Sequence, residues 1–136
     1  HIENTPLGVI EWNLNFEVAA WNPAAEKIFG FSEKEALGKH ASFIIPQITK
    51  EHVDKIWSEL LTKQGGERST NENNTKDGRI ILCEWYNTPL MDSGGKVIGA
   101  ASQVMDITER KEMEKMKNEF ISISSNTNHF LMIRHS

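Results

Sequence analysis

Apolar and polar positions alternate in two short segments near the start of the chain. Residues 7–13 and 17–21 are rich in β-branched and aromatic types, which favour strands. The connection between them, residues 13–15, is short and polar, as is typical of a tight turn. We therefore expect a hairpin of two antiparallel strands at the start of the fold.

Helix start and stop signals follow this hairpin. The run 22–30 begins with Asn-Pro and ends with glycine, which are preferred at the cap, first turn and exit of a helix. Ser32 and Glu35 have the spacing of a capping box, which predicts a second short helix. Between residues 50 and 62, apolar side chains recur at intervals of three and four, which predicts a longer helix with one face on a core.

Turn signals divide the next part of the chain into three strands. Residues 68–76 are polar and rich in Asn and Thr, and we expect a solvated strand there. The pair Asp77-Gly78 and the turn 92–95 then bound the strands 79–91 and 96–107. Two strands, several helices, three strands and a final helix predict an α+β fold with an antiparallel sheet.

Composition limits the classes of function. A length of 136 residues with 38% hydrophobic side chains suits one domain. The formal net charge of -4 argues against nucleic acid or an anionic membrane as a partner. Cys83 is the single cysteine, so an intramolecular disulfide and a cysteine-cluster metal site are excluded. The sequence contains no apolar run of membrane-spanning length, and we expect a cytoplasmic setting, which a membrane-anchored parent chain would also allow.

Several short motifs follow one another in a fixed order between residues 5 and 111. They are Trp21-Asn22-Pro23-Ala24-Ala25, Phe29-Gly30-Phe31-Ser32, Leu37-Gly38-Lys39, Lys76-Asp77-Gly78, Asn87-Thr88-Pro89-Leu90 and Asp106-Ile107-Thr108-Glu109-Arg110-Lys111. In this order and spacing the chain resembles a PAS domain of the S-box type, as found in sensory histidine kinases. The resemblance implies a five-stranded antiparallel sheet in the order 2-1-5-4-3, helices on one face, a small central pocket and a C-terminal signalling helix.

The resemblance also implies a division of the chain and a function. Residues 1–107 would form the sensor core, 108–125 the signalling helix, and 126–136 a tail of unknown role. The implied function is that of a sensory module, the input domain of a two-component histidine kinase, which acts by conformational change and homodimerisation. A kinase output domain would then lie in the parent chain. Two alternatives stay open: a haem- or flavin-based redox or gas sensor, and a purely protein–protein interaction module.

Alternation along the strands, registered on the family pattern, predicts which side chains face the helices. The predicted pocket residues are Trp57, Cys83, Trp85, Asn87, Ser102 and Val104. Large aromatic side chains at such positions line a pocket or fill it as core. We expect no cofactor or a small organic ligand.

The sequence differs from the cofactor-binding variants of the family. Photoactive flavin-binding members have a cysteine at the position of Ala41 and a glutamine at that of Val104, and neither occurs here. His52, near the start of the long helix, is the one candidate for a haem axial ligand. No second haem-binding feature accompanies it, and no metal site is predicted.

The final helix has the spacing of a coiled-coil seam. Met113, Met116, Phe120 and Ile123 recur at intervals of three and four residues. In the family that the chain resembles, this helix couples the sensor to its output, and we expect a parallel homodimer along the seam. Asp106 or Thr108 can cap the helix where it leaves the sheet. The alternative is one amphipathic helix folded back on its own domain.

Residues 116–125 also resemble the segment that precedes the phospho-accepting histidine of histidine kinases. Asn126 stands at that histidine's position, and an amide cannot accept a phosphoryl group as an imidazole does. No ATP-binding domain follows in the sequence. We therefore expect no catalytic residues and no kinase activity in this chain, whatever its parent does.

Overall fold

The helices and strands lie where the sequence predicts them, except that the last helix is longer. A computed structural model describes residues 6–62 and 68–135, with side chains up to residue 125. Its elements are β1 (Gly8–Asn13), β2 (Val18–Trp21), α1 (Pro23–Phe29), α2 (Glu33–Ala36), α3 (Lys50–Leu61), β3 (Arg68–Asn74), β4 (Ile80–Met91), β5 (Val97–Asp106) and α4 (Thr108–His135). Short 3₁₀ turns at Ala41–Ile44 and Gln47–Thr49 precede α3. The chain divides into two units, 1–106 and 107–136, one residue before the predicted boundary.

The five strands form one antiparallel sheet in the order β2-β1-β5-β4-β3. This is the order that the resemblance implies, so that expectation is confirmed. β5 lies in the centre and pairs with both β1 and β4. Because the first and last strands of the sheet are neighbours, side chains distant in sequence meet on its inner face.

Local capping positions the short helices against this face. The side chain of Asn22 accepts hydrogen bonds from the backbone nitrogens of Ala25 and Val9, both at 2.9 Å, and so ties the start of α1 to β1. Gly30 ends α1 in the left-handed conformation, with φ of 84°, which glycine adopts without a steric penalty. Ser32 and Glu35 form the predicted capping box of α2.

The core lies between the helices and the inner face of the sheet. Trp21, Phe29 and Ile10 are almost fully buried within it, and burial of each such side chain contributes roughly 1.5–3 kcal/mol. Ile56 and Trp57 of α3 are only half-buried against this cluster. The α3 side of the core is therefore less tightly covered than the α1 side.

α4 is one continuous helix. It runs to His135, ten residues past the end expected at 125, so the segment predicted as a separate tail has a helical backbone over 126–135. No helix in the described part of the chain has the length and apolar character needed to cross a membrane. The predicted seam residues Met113, Met116, Phe120 and Ile123 are between 63% and 70% exposed.

Candidate ligand cavity

A small cavity lies between α3, the 3₁₀ turn at Ala41–Ile44 and the inner face of the sheet, and its volume is about 40 Å³. A buried water needs about 10–15 Å³ of such space, so the cavity holds one or a few waters as it stands. Its aromatic walls are Trp12, Phe16, Trp57 and Trp85. Its polar residues are Ser69, Asn71, Asn73, Asn87 and Ser102.

One chain of hydrogen bonds crosses the floor of the cavity from β1 to β4. The indole nitrogen of Trp12 donates to the hydroxyl of Ser102 at 2.9 Å. That hydroxyl donates to the side-chain oxygen of Asn87 at 2.6 Å. Three strands, β1, β5 and β4, are therefore joined by side chains as well as by their backbones.

A second chain runs from β4 through β3 to the turn before α3. The indole nitrogen of Trp85 donates to the side-chain oxygen of Asn73 at 2.9 Å. The amide nitrogen of Asn73 donates in turn to the carbonyl of Ile44, also at 2.9 Å. Asn73 is only 1% exposed, and these two bonds satisfy an amide that would otherwise be costly to bury.

One side of the cavity is lined by stacked aromatic rings. The Phe16 ring stacks on the indole of Trp57 with 4.1 Å between ring centres, and its other neighbours are Trp12 and His40, both edge-on. Phe16 has a φ of 60° in the turn between β1 and β2, a conformation that costs an L-residue energy. The carbonyl of Phe16 accepts from the backbone nitrogen of Ala41 at 2.9 Å, which joins this turn to the 3₁₀ turn.

The structure brings four of the six predicted pocket residues to the cavity, namely Trp57, Trp85, Asn87 and Ser102. Cys83 and Val104 do face the helices and are fully buried, but they lie in the core and not along the cavity. Val104 lies so close to Gly8 that a Cβ added to Gly8 would be 2.6 Å from a methyl group of Val104. This places Val104 on the α1 side of the sheet.

Eleven of the described lining residues were not predicted as pocket residues from the sequence, among them Trp12, Phe16, Asn71 and Asn73. The polar character of β3 suggested a solvated strand, whereas Asn71 and Asn73 are buried. Their spacing of two residues, which puts both side chains on one face of a strand, was the signal available in the sequence.

Ionisable groups are absent from the described lining of the cavity, which consists of apolar, Ser and Asn side chains. The nearest thiol, that of Cys83, is in the core. Burial raises its pKa far above the ordinary value, and the carboxylate of Asp106, its cross-strand neighbour, raises it further. A thiol in this environment stays protonated and unreactive.

The residues present do not fit the cofactors considered from the sequence. His52 lies on the exposed side of α3 and does not line the cavity, so it is not positioned as an axial ligand for a haem there. Ala41 does line the cavity and presents a methyl group where a photoactive flavin domain needs a thiol. Among the residues that the structure describes, no group of three or more His, Cys, Asp or Glu could hold a metal ion.

Comparison with known proteins identifies relatives among sensor kinases. Sporulation kinase C of Bacillus subtilis is 30% identical over 124 residues, which are 90% of this chain and 28% of that protein. Hybrid signal transduction histidine kinase L of Dictyostelium discoideum is 28% identical over 119 residues, 85% of this chain and 7% of that protein. The chain thus spans less than a third of the length of either relative.

A solved structure and a family model also match this chain. The structure superposes on the solved PAS domain of a protein from Colwellia psychrerythraea with a TM-score of 0.68 and 23% identity, covering 76% of this chain and 87% of that one. The family model of the PAS fold matches residues 1–107, which include all five strands and the cavity. The chain therefore belongs to the PAS family.

Proposed function

We propose that this chain is the sensory input module of a two-component histidine kinase of the cytoplasm, with the cavity as its ligand site and α4 as its output. Its membership of the PAS family and its kinase relatives fit a sensory module. The observation that carries the proposal is the polar floor of the cavity. Ser102 of that floor lies on β5, the strand that leads directly into α4.

A ligand in this cavity would act by changing the balance between two states of the chain. Such a shift requires that the ligand bind one state more tightly than the other. The hydrogen bonds from Trp12 through Ser102 to Asn87 support this role, because a ligand that contacts Asn87 perturbs a side chain bonded to β5. The output domain of the parent chain is part of this proposal.

We propose further that α4 forms a parallel homodimer through the seam residues Met113, Met116, Phe120 and Ile123. With these residues at the a and d positions of a heptad, Glu112 takes position g and Lys117 position e. In a parallel pair, residue g of one helix faces residue e of the next heptad on the other, so Glu112 meets Lys117 of the second copy. An antiparallel pair would place like charges together, and charge complementarity therefore favours the parallel arrangement.

The dimer is tested by placing a charge in the seam. Met116→Asp and Phe120→Asp should convert the dimer to a monomer in sedimentation experiments, because a carboxylate in an apolar seam is strongly disfavoured. Asn118→Asp and Ser122→Asp add the same charge to the other side of the helix and should leave the dimer intact. The thermal unfolding of the 1–106 unit should change little in all four variants. Seam variants that stay dimeric would overturn the proposed interface.

A second candidate function is that of a protein–protein interaction module without a ligand. The observation that favours it is the small cavity, since an apolar cavity that binds benzene measures about 150 Å³ and this one about 40 Å³. Absorption spectroscopy of the freshly purified protein, with mass spectrometry of whatever is released on denaturation, separates the two functions. A near-stoichiometric released compound supports the sensor, and its absence from every preparation and extract tested supports the interaction module.

A further inference from the structure

We infer that the cavity selects an uncharged ligand that carries a hydrogen-bond acceptor, and that it excludes carboxylates and other anions. The inference rests on the proposed function of the cavity and specifies the chemical class of its ligand. It follows from the direction of the hydrogen bonds on the cavity floor, from the absence of charge in the described lining, and from the one indole of the lining that no described residue holds by a hydrogen bond.

The direction of the first hydrogen-bond chain is set by Trp12. An indole nitrogen only donates, so the Ser102 hydroxyl accepts from Trp12 and its own hydrogen points to Asn87. The 2.6 Å separation between Ser102 and Asn87 is that of an O–H···O bond, shorter than an ordinary N–H···O bond. The side-chain oxygen of Asn87 therefore already accepts one hydrogen bond, and its amide nitrogen is left as a donor.

The two asparagines of β3, Asn71 and Asn73, likewise accept hydrogen bonds through their side-chain oxygens. The side-chain oxygen of Asn73 accepts from Trp85, and its nitrogen donates to the carbonyl of Ile44. The side-chain oxygen of Asn71 accepts from the hydroxyl of Ser69 at 3.2 Å, which leaves the Asn71 amide nitrogen. The polar groups offered to a ligand are thus mainly donors.

The amide nitrogens of Asn71 and Asn87 have no acceptor among the residues that the structure describes. They are not sealed in the core either, because no buried side-chain nitrogen or oxygen of the described residues lacks a partner. Each therefore borders space that a water or a ligand occupies. Because Asn71 pairs with Cys83, the two amides lie about four residues apart along β4, and a single acceptor atom replaces the water at one of them.

A charge on the ligand would weaken its binding to the cavity. No cationic side chain lines the described part of the cavity, so an anion would lose its hydration without gaining an ion pair. A cation would meet two amide donors and no carboxylate. An uncharged acceptor, such as the carbonyl of a ketone or an amide, satisfies the donors at the lowest desolvation cost.

Trp57 is the wall that moves to admit the body of such a ligand. The indole nitrogens of Trp12 and Trp85 are held by hydrogen bonds, whereas that of Trp57 has no acceptor among the described residues. Trp57 is also half-buried on the loosely covered α3 side. A flat apolar group can therefore take the place of the Trp57 indole on the Phe16 ring.

Three molecules of similar shape test the inference. Acetophenone has a carbonyl acceptor, benzoate has the same outline with a negative charge, and ethylbenzene has no acceptor. Each is titrated into the full ¹⁵N-labelled chain, and the side-chain amide signals of Asn87 and Asn71 are followed by NMR. Acetophenone should shift the Asn87 signal and bind about threefold to tenfold more tightly than ethylbenzene, the ratio expected for one neutral hydrogen bond. Benzoate should bind at least about tenfold more weakly than acetophenone.

Matched variants show whether Asn87 sets the preference. Asn87→Leu keeps the volume and removes the donor, and it should abolish the advantage of acetophenone over ethylbenzene. Gln103→Leu removes an amide from the exposed face of β5 and should leave that advantage unchanged. Trp57→Ala enlarges the cavity and should raise the affinity for acetophenone while preserving the order of the three probes.

Several results would overturn the inference. Benzoate binding as tightly as acetophenone would show that the cavity accepts anions. Equal binding of acetophenone and ethylbenzene would show that the donors are not used, and no binding of any probe even to Trp57→Ala would show that the cavity takes no such ligand. In each case the proposed sensory function is judged separately, by the released compound and by the seam variants.

Discussion

The ring of Phe16 lies parallel to the indole of Trp57, with 4.1 Å between the ring centres and 10° between the planes. Phe16 holds this position from a left-handed backbone conformation, with φ of 60°. The stack therefore joins the β1–β2 turn to α3 and offsets the unfavourable backbone geometry of the turn. Both rings also line the cavity, so the stability of the turn and the shape of the cavity depend on the same pair of rings.

Replacement of Phe16 by glycine should lower the free energy of unfolding less than replacement by alanine, which is the reverse of the usual order. Phe16→Ala loses the stack but keeps a Cβ at positive φ, and we expect it to lower the free energy of unfolding by about 2 kcal/mol. Phe16→Gly loses the same stack but relieves the backbone, and it should be more stable than Phe16→Ala by about 1 kcal/mol. Urea unfolding of the two variants checks this order. A glycine variant less stable than the alanine variant would contradict the left-handed conformation.

Removal of the Asn73 side chain should destabilise the fold through the two partners that it leaves behind. Asn73→Leu has a similar volume but leaves the Trp85 indole nitrogen and the Ile44 carbonyl without partners. We expect a loss of about 2 kcal/mol in the free energy of unfolding. Asn74→Leu changes the adjacent, half-buried residue and should cost less than about 0.5 kcal/mol. Equal effects of the two substitutions would show that Asn73 is not part of a buried hydrogen-bond chain.

Local chemistry explains why most of the fold could be predicted. The cap at Asn22, the exit at Gly30 and the capping box at Ser32 each depend on residues within a few positions of one another. The turn at Asp77-Gly78 is equally local, with Gly78 at φ of 85°. The strand order, in contrast, came from the resemblance, because local patterns do not specify which strands pair.

The floor of the cavity could not be predicted in the same way. Trp12 and Ser102 are 90 residues apart in sequence, and their bond exists only because β1 and β5 are neighbours in the sheet. The polarity of Asn71 and Asn73 favoured a solvated strand because nothing near them in sequence shows that partners for buried amides are available. Trp85, the donor to Asn73, reaches it across the β3–β4 pair.

α4 continues past residue 125, where the signalling helix was expected to end. The tail was set apart at 126 because Asn126 stands at the position of the phospho-accepting histidine, which is no helix stop signal. Residues 122–128 are Ser, Asn, Thr and Ile. Each of these residues costs a helix only a fraction of 1 kcal/mol, and neither Gly nor Pro interrupts the segment. The helix therefore continues to His135.

Cys83 should be unreactive until the protein unfolds. Burial and Asp106 raise the pKa of its thiol, and the thiolate is the reactive form. At about pH 8 the native chain should react with iodoacetamide far more slowly than the same chain in concentrated urea. A cysteine placed in the exposed β4–β5 turn, Ser93→Cys in a Cys83→Ala background, should react at similar rates in both. Rapid alkylation of native Cys83 would show that the core around it opens readily.

The ion pair between Glu35 and Lys76 should make stability depend on acid pH. The Lys76 ammonium lies 2.6 Å from the Glu35 carboxylate. This contact, with the backbone nitrogen of Ser32, lowers the pKa of Glu35 from 4.5 to about 2. Because the pKa is lower in the folded than in the unfolded chain, the stabilisation is complete above about pH 4.5 and is lost as the pH falls toward 2.

The comparison of Lys76→Met with the unaltered protein isolates this contribution. The two proteins should differ most in free energy of unfolding near pH 6, and the difference should narrow as the pH falls from 4.5 toward 2. Lys34→Met removes a neighbouring exposed lysine on α2 and should leave the pH dependence unchanged. An NMR titration of the Glu35 carboxyl should show its pKa rising in Lys76→Met alone. A difference that stays constant across this range would mean that Lys76 stabilises the chain by packing, with no contribution from its charge.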